Sequence, residues 1–288
     1  MRELPRQRSY LAVPATSERF LEKASKSDAD AIFIDLEDAV VAGAKDSARQ
    51  RAIEAIDRMD WGSRLVGVRV NGLDTAWGCR DVIEIAAHAK RVDRLLIAKC
   101  EGPGQVHAAD VMIRAAAQEL HRERPLQLEA LIESARGVAS AEAIAGASDR
   151  MAALVFGAGD YQVDMGSIGA PARWDYALAR IANAARAHGL APIDSPYVDF
   201  ADAAGFERLA RRAAEEGFEG KMCIHPSQIA AANAAFTPAA GEIEWARQAL
   251  ELMAAGAKEG RGAVRGPRGE MLDLMHEKMA RRILARAG

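Results

Sequence analysis

The sequence has few cysteines and no long apolar stretch. The three cysteines, Cys79, Cys100 and Cys223, are odd in number and far apart, so they indicate neither a disulfide framework nor a zinc cluster. No apolar run approaches the roughly 20 residues of a transmembrane helix. The polar residues 1–8 lack the apolar core of a signal peptide. We therefore expect a cytoplasmic protein that does not bind to or cross a membrane.

A strong charge of one sign is also missing. The chain has 38 Lys and Arg against 41 Asp and Glu, a net charge of −3, which gives no reason to expect nucleic acid as a partner. Neither a Gly-x-Gly-x-x-Gly after the first apolar run nor a Walker loop is present, which argues against a nucleotide-binding fold. We expect a small-molecule ligand instead.

The chain does contain eight short apolar runs, each followed by a stretch typical of a helix. The runs are residues 10–13, 31–34, 65–68, 95–98, 128–132, 152–156, 191–193 and 222–224. Strands that are buried on both faces have continuous apolar sequences of this kind, and alternation with helices indicates a parallel sheet. Eight units fit a closed barrel better than an open sheet. The sequence therefore predicts the α/β class, with a TIM (β/α)8 barrel at residues 1–237.

Residues 238–288 lie outside the eight repeats. Residues 242–257 and 271–287 have helical patterns, and residues 256–269, which are rich in Gly and Arg, separate them. We expect a C-terminal helical extension that acts as a lid, as an oligomer arm that covers a neighbouring subunit's site, or as both. A flexible tail is the alternative.

Two carboxylates follow neighbouring predicted strands. We expect Glu133 to end the fifth predicted strand and Asp160 to end the sixth. The carboxyl ends of barrel strands converge on the face that carries the active site, and neighbouring strands lie roughly 5 Å apart. Two such carboxylates repel unless a cation or a proton lies between them, and they suit Mg²⁺. The alternative is structural, with Glu133 capping a helix and Asp160 serving a turn.

Other charged residues end the second and third runs. Arg69 follows the third run, where a guanidinium suits recognition of a carboxylate or an enolate. Asp35, Glu37 and Asp38 follow the second run, and we expect some of them to pair with Arg69, with Lys99 or with metal-bound water. A structural ion pair of Arg69 with Asp35 or Glu37 is the alternative, as is a solvated loop for Asp38.

Lys99 and His225 leave two further chemistries open. Lys99 at the end of the fourth run suits a Schiff-base lysine of an aldolase, but an ion pair with Asp35 or Glu133 is the interpretation that we favour. His225 after the eighth run suits a general base, whereas a His-Pro pair at such a junction is more often a structural turn.

Several motifs in this order resemble one known family. They are residues 8–15 (RSYLAVPA), 35–40 (DLEDAV), 68–71 (VRVN), 132–137 (IESARG), 156–160 (FGAGD), 217–221 (GFEGK) and 224–226 (IHP). Together they resemble the citrate lyase β-subunit-like proteins of the HpcH/HpaI aldolase and malyl-CoA lyase superfamily. The resemblance covers about residues 8–275 and is more specific for the superfamily than for the substrate.

The resemblance implies a TIM barrel that binds Mg²⁺ through Glu133 and Asp160. It implies that Arg69 meets the substrate oxygens. We expect Arg8, Lys99 and Gly159 to contact the substrate as well, with Arg8 at the CoA phosphates.

Asp35, Glu37 and Asp38 would hold the metal-binding and substrate-binding side chains in position without contacting the metal or the substrate themselves. In relatives, a C-terminal Gly-x-Met-Ile-Asp-x-Pro segment supplies a catalytic Asp to the neighbouring subunit's site. The matching stretch here, residues 269–275 (GEMLDLM), makes Asp273 the candidate, although Met275 replaces the proline.

The implied activity is Mg²⁺-dependent cleavage of a carbon–carbon bond in a 3-hydroxyacyl-CoA thioester. The substrate would be of the citryl, malyl or citramalyl type, and the products would be an acyl-CoA and a 2-oxoacid. The alternatives are an acyl-CoA thioesterase, a malate-synthase-like condensing enzyme, a lyase subunit acting on a carrier-protein thioester, and a non-catalytic barrel that holds a metal. The resemblance also implies a homo-oligomer, either a trimer or a hexamer.

Overall fold

The structure is a computed structural model that describes residues 5–116, 125–169 and 174–287. The contacts between Cα atoms divide the chain into two units, residues 1–233 and residues 234–288. The division lies a few residues before the sequence-based boundary after residue 237.

The first unit contains eight parallel strands that close into a barrel in chain order. The strands are β1 Ser9–Pro14, β2 Ala31–Asp35, β3 Leu65–Val70, β4 Arg94–Ile97, β5 Gln127–Ile132, β6 Met151–Phe156, β7 Ala191–Asp194 and β8 Gly220–Cys223. Each strand overlaps one of the eight apolar runs. The predicted TIM barrel is therefore confirmed.

Helices follow the strands and cover the barrel. They are α1 Glu18–Ser25, α2 Lys45–Arg58, α3 Gly78–His88, α4 Pro103–Ala116, α5 Ala135–Ala139, α6 Ala141–Ala145, α7 Ala158–Asp164, α8 Asp175–Ala187, α9 Ala203–Glu215 and α10 Ile229–Ala235, with short 3₁₀ helices at Ala42–Ala44 and Pro226–Gln228. Local sequence explains several helix ends. The Ser17 side chain caps α1, and Gly217 ends α9 in the left-handed conformation that glycine adopts without strain.

Alternate strand residues fill the interior of the barrel. Tyr10, Phe33, Leu96, Leu131 and Val155 belong to one buried apolar cluster with inward-facing residues of the other strands. Because side chains alternate between the two faces of a strand, the residues two positions after these also face inward. This rule places charged side chains at the carboxyl ends of β2, β3 and β5 on the inside of the barrel mouth.

The amino-terminal end of the barrel is closed by a buried ion pair. Arg94 donates to Glu129 and to the amide oxygen of Gln7, and the Tyr10 hydroxyl donates to the other oxygen of Glu129. The side chains of Arg94 and Glu129 are 1% and 0% exposed. The charges at this end neutralise each other away from solvent.

The second unit is a helical hairpin with a small sheet. Helix α11 Ala240–Lys258 and helix α12 Leu274–Ala287 flank strands β9 Val264–Arg265 and β10 Met271–Leu272, which are antiparallel. The helical extension is therefore present, but the prediction of helix for residues 271–273 is wrong. Leu272 pairs with Val264 and is fully buried, so packing holds this segment extended. No helix in the described ranges is long and apolar enough to cross a membrane.

Candidate active site

Glu133 directly follows β5 and faces the inside of the barrel mouth. Its Oε1 accepts the backbone N–H of Lys99 at 2.8 Å, and the residue is only 4% exposed. Gly157 follows β6 beside it. A Cβ atom at position 157 would lie 2.7 Å from Glu133 Oε2, so the carboxylate occupies space that any other residue at position 157 would fill.

Asp160 is brought to the same place by a different element. The sequence-based placement of Asp160 at the end of the sixth strand is wrong, because β6 ends at Phe156 and Asp160 lies in the first turn of α7. Asp160 and Glu133 nevertheless line one cavity of about 690 Å³ at the carboxyl end of the barrel. The structure therefore brings the two carboxylates together.

The electrostatics of this pair favour a cation. Burial and, to a smaller extent, the nearby charge of Asp160 raise the pKa of Glu133 to about 8, although the hydrogen bond from the Lys99 N–H lowers it. Neither carboxylate is ion-paired with a lysine or arginine in the part of the chain that the structure describes. No group of three or more potential metal ligands occurs among those residues. Two carboxylates with the remaining positions open are a ligand set that Mg²⁺ commonly uses.

Arg69 lies in β3 on the same inner face and is held by two acids. Its Nε donates to Asp35 Oδ1 at 2.7 Å and its Nη2 to Asp35 Oδ2 at 2.6 Å, while Nη1 lies 3.1 Å from Glu37 Oε2. Burial alone would lower the pKa of Arg69, but the hydrogen bonds and charges of these acids raise it above its ordinary value. The guanidinium is therefore charged and fixed, and it keeps N–H groups that Asp35 does not use.

Among the acids that the sequence suggested as partners of Lys99, its ammonium group pairs with Glu37 and Asp38 and not with Asp35 or Glu133. Its Nζ lies 2.5 Å from Glu37 Oε1 and 3.4 Å from Asp38 Oδ1, whereas only its backbone N–H contacts Glu133. Burial lowers the pKa of Lys99, but the hydrogen bond to Glu37 and the nearby carboxylates outweigh this effect and raise it. A Schiff-base lysine needs a neutral amine, so this environment argues against the aldolase alternative.

The loop after β2 is fixed by a lysine that the sequence analysis missed. Lys45 is buried, and its Nζ donates to the carbonyl oxygens of Leu36 at 2.9 Å and of Glu37 at 2.7 Å. The backbone N–H of Glu37 donates to Asp35 Oδ1 at 2.9 Å. These bonds hold Asp35 and Glu37 in place behind Arg69 and Lys99.

Arg8 is not brought to this site. It precedes β1, so it lies at the amino-terminal end of the barrel, and its guanidinium binds Asp30 through Nε at 2.7 Å and Nη2 at 2.9 Å. The expectation that Arg8 meets the CoA phosphates at the barrel mouth therefore disagrees with its position. A residue that precedes a parallel strand lies at the end opposite the active site.

Gly159 and His225 both follow strands on the mouth side. Gly159 is exposed in the first turn of α7, with open space where a side chain would be. The His225 side chain caps the 3₁₀ helix Pro226–Gln228, with Nδ1 2.8 Å from Ser227 Oγ. The structural interpretation of His225 is therefore the one that the geometry favours.

Asp273 belongs to the second unit and directly precedes α12. Its Oδ1 accepts the backbone N–H of Met275 at 3.0 Å and lies 2.9 Å from His276 Nδ1. The hydrogen bond with His276 holds the pKa of Asp273 below its usual value. Within one chain, Asp273 acts as a helix cap.

The cavity also has wall residues that the sequence analysis missed. Leu73 and Asp74 lie between β3 and α3, Cys79 lies in the first turn of α3, and Val163 and Asp164 end α7. Asp74 lies five residues after Arg69, beyond the end of β3, and this position could have marked it in the sequence as a residue of the barrel mouth. Cys79 is exposed, whereas burial raises the pKa of Cys100 and Cys223 to about 12.

Several known proteins are similar to this chain in sequence and fold. The HpcH/HpaI aldolase/citrate lyase family matches residues 8–226. An L-malyl-CoA/beta-methylmalyl-CoA lyase of Cereibacter sphaeroides is 38% identical over 300 residues, covering 97% of this chain and 94% of that protein. A (3S)-malyl-CoA thioesterase of the same species is 36% identical over 282 residues, with the same coverage of both chains.

Two solved structures from Mycobacterium tuberculosis are similar along their whole length. The crystal structure of CitE in complex with magnesium, acetoacetate and coenzyme A has a TM-score of 0.74 and 29% identity, covering 98% of both chains. A citrate lyase beta subunit complexed with oxaloacetate and magnesium has a TM-score of 0.67 and 31% identity, covering 81% of this chain and 98% of that chain. The predicted class, a carbon–carbon lyase, is supported by the malyl-CoA lyase and by the citrate lyase beta subunit among these relatives. This chain belongs to the HpcH/HpaI aldolase/citrate lyase family.

Proposed function

We propose that this protein is a Mg²⁺-dependent carbon–carbon lyase that cleaves a 3-hydroxyacyl-CoA thioester of the malyl type. The observation that carries this proposal is the pair Glu133 and Asp160, which line one cavity without a cationic partner among the described residues. The similarity to the malyl-CoA lyase of C. sphaeroides supports the thioester substrate.

Glu133 and Asp160 would hold the metal. Their fit to Mg²⁺ rests on the donor set, which is two carboxylates with the other positions left to water or substrate. The raised pKa of Glu133 supports the same assignment, because a bound cation would stabilise its ionised form. When bound, Mg²⁺ supplies Lewis-acid polarisation of the substrate's carboxylate and hydroxyl oxygens.

Arg69 would stabilise the charge that develops in the reaction. In a malyl thioester the hydroxyl group loses its proton to water, and the bond between C2 and C3 breaks. The hydroxyl carbon becomes the carbonyl of the 2-oxoacid, and the electron pair of the broken bond moves to the thioester fragment as an enolate. Because Asp35 and Glu37 already fix the guanidinium, Arg69 needs no reorganisation to donate to an oxyanion.

Asp273 of a second copy, after taking up a proton from water, would supply the proton that the enolate carbon takes up to form the acyl-CoA product. In the single chain, His276 and backbone N–H groups keep Asp273 ionised. The proposed role therefore needs the different surroundings that a homo-oligomer, a trimer or a hexamer, would provide. Lys99 and Gly159 complete the proposed substrate contacts, with Lys99 tuning the charge of the site.

The negative charge of the cavity wall favours a substrate without an additional carboxylate. Asp74, Glu101 and Asp164 line it, and Lys99 is the basic residue among its described lining. Lys99 is already held by Glu37 and Asp38, and the cation nearest to Glu101 among the described ion pairs is the exposed Arg136 at 3.8 Å. A citryl group carries an additional carboxylate on a carboxymethyl branch of its hydroxyl carbon, and this carboxylate would be repelled here. Malyl, methylmalyl and citramalyl thioesters are therefore the substrates that we favour.

A thioesterase is the second candidate, because a (3S)-malyl-CoA thioesterase is 36% identical over nearly the whole chain. Hydrolysis breaks the bond between the acyl carbon and sulfur and releases free CoA. Lysis breaks a carbon–carbon bond and leaves the thioester intact. The two activities therefore give different products from the same substrate.

The experiment is an assay of the purified protein with (S)-malyl-CoA, citramalyl-CoA and citryl-CoA, with Mg²⁺ and with EDTA. Acyl-CoA, free CoA and the 2-oxoacid are all quantified. Equal release of acyl-CoA and a 2-oxoacid, abolished by EDTA, is the expected result. Free CoA and malate would move the protein to the thioesterase class. Activity only with an acyl-carrier-protein thioester would make it a subunit of a larger lyase.

A further inference from the structure

The backbone of the β4–β5 pair is interrupted at Lys99. The register pairs Arg94 with Gln127 and Ile97 with Ala130, so a regular parallel ladder would next join the Lys99 N–H to the Leu131 carbonyl. The Leu131 carbonyl instead accepts the N–H of Cys100 at 3.0 Å. One extra residue has therefore been inserted at this point, and that residue is Lys99.

Lys99 adopts an unusual conformation at this bulge. Its φ is +51°, which makes it the one non-glycine residue with positive φ in the described ranges. A residue with a Cβ atom loses free energy of folding when it adopts this left-handed conformation. Bulges next to active sites often change the direction of a side chain or end the strand pairing. The bulge releases the Lys99 N–H from the ladder, and the N–H donates to Glu133 Oε1 at 2.8 Å.

The other side of the Glu133 carboxylate is bounded by Gly157. The Gly157 N–H donates to the Ile132 carbonyl at 3.0 Å, which continues the β5–β6 pairing and sets Gly157 opposite Glu133. One oxygen of Glu133 is thus bonded to the bulge, and the other lies over a position without a side chain. Together, these two contacts restrict the orientation of the carboxylate.

We propose that Lys99 is a positioning residue for Glu133, acting through its main chain, and that its left-handed bulge sets the orientation in which Glu133 binds the metal. The ammonium group of Lys99 has a separate role, since it bridges Glu37 and Asp38. This inference rests on the proposed function, because it takes Glu133 as a ligand of Mg²⁺.

The test separates the backbone of Lys99 from its charge. Lys99→Gly, Lys99→Ala and Lys99→Val all remove the ammonium group, but they differ in how readily they adopt positive φ. Affinity for MgCl₂ is measured by isothermal titration calorimetry, with no substrate present. We expect Lys99→Gly to bind Mg²⁺ about tenfold more tightly than Lys99→Val, with Lys99→Ala between them. The melting temperature of each metal-free variant shows that it is folded.

A second pair of variants tests the opposite boundary. Gly157→Ala places a methyl group 2.7 Å from Glu133 Oε2 and is expected to weaken Mg²⁺ binding at least tenfold, as the loss of one charge-assisted hydrogen bond would. Gly102→Ala is the matched control, because a Cβ atom there meets nothing within 4 Å. It should leave the affinity unchanged.

Two results would overturn the inference. One is equal affinity of the Gly, Ala and Val variants at the wild-type level. The other is equal weakening of all three, which would assign the effect to the ammonium group. Glu133→Gln separates this inference from the proposed function. If that variant binds Mg²⁺ as tightly as the wild type, the metal assignment itself fails. If it loses Mg²⁺ while Lys99→Val keeps it, only the role of Lys99 is wrong.

Discussion

Each end of the barrel holds a buried glutamate, one in β5 and one directly after β5, and these glutamates have opposite surroundings. Glu129 near the start of β5 accepts from Arg94 and from the Tyr10 hydroxyl, and its side chain is 0% exposed. Glu133, four residues later on the same inward face, accepts one backbone N–H and lies beside Asp160. The first glutamate is neutralised by the protein, whereas the second has no cationic partner among the described residues.

This difference distinguishes a structural charge from a functional one. Both positions are inward-facing, because side chains on a strand repeat every two residues. Burial alone would therefore mark both glutamates as candidates. What separates them is the partner, because a buried charge without a counterion favours either a proton or an external cation.

The largest effect should come from Glu133→Gln. This change removes a charged ligand but keeps the shape of the side chain, so Mg²⁺-dependent turnover should fall at least ~1,000-fold, which is a few kcal/mol of lost transition-state stabilisation. The free energy of unfolding should stay level or rise at pH 8. Steady-state rates and urea unfolding measure the two effects. Full activity of this variant would remove Glu133 from the metal site.

The matched change at the closed end should show the reverse pattern. Glu129→Ala leaves Arg94 buried without its counterion, so we expect it to lower the free energy of unfolding by about 3–5 kcal/mol. Among folded molecules, the affinity for Mg²⁺ should stay within twofold of the wild type. Urea unfolding and calorimetry at low temperature measure both quantities. Strong loss of Mg²⁺ affinity in folded protein would contradict the separation of the two ends.

The pH dependence of stability should sharpen the comparison. Glu133 has its ordinary pKa of 4.5 in the unfolded chain and a pKa of about 8 in the folded, metal-free protein. Between these values the folded state holds a proton that the unfolded state has lost. The contribution of Glu133 to the free energy of unfolding should therefore be fully present below pH 4.5. It should fall as the pH rises to 8, by up to ~1.4 kcal/mol per pH unit.

Saturating Mg²⁺ should remove this fall, because it stabilises the ionised carboxylate. The affinity of the protein for Mg²⁺ should rise by up to ~tenfold per pH unit until about pH 8, since Mg²⁺ binding displaces the proton of Glu133. Glu133→Gln is the control and should lack both effects. The difference in the free energy of unfolding between the wild type and Glu133→Gln should therefore vary with pH. If it does not, Glu133 does not titrate in this pH range.

Much of the barrel and part of the site could be predicted from the sequence, because their signals are local. Apolar runs mark the strands, and the charged residues that end those runs mark the mouth. Asp35, Arg69 and Glu133 could therefore be predicted from the sequence as residues of the barrel mouth, and the structure places them on one inner face. Arg8 was misassigned, although its place before β1 already set it at the opposite end.

The remaining features depend on how distant segments meet. The bulge at Lys99 exists only relative to the register of β5, and the need for glycine at position 157 exists only relative to the Glu133 side chain. Lys45 binds carbonyl groups eight and nine residues before it, and no sequence periodicity indicates such contacts. Met271 and Leu272 likewise form a strand because they pair with β9.

The smallest expected effect concerns the acidic wall of the cavity, where charges are exposed and screened. Asp74→Asn or Asp164→Asn should raise kcat/KM for citryl-CoA relative to malyl-CoA about fivefold, since one unit charge a few ångströms away in water contributes about 1 kcal/mol. The gain should shrink as salt is raised, because a Debye length of about 8 Å at physiological ionic strength screens such charges. Asp28→Asn at the amino-terminal end removes the same charge far from the mouth and should leave the ratio unchanged. If all three variants change the ratio equally, the selection reflects net charge. If none does, the apolar part of the wall, with Leu73 and Val163, selects the substrate by size.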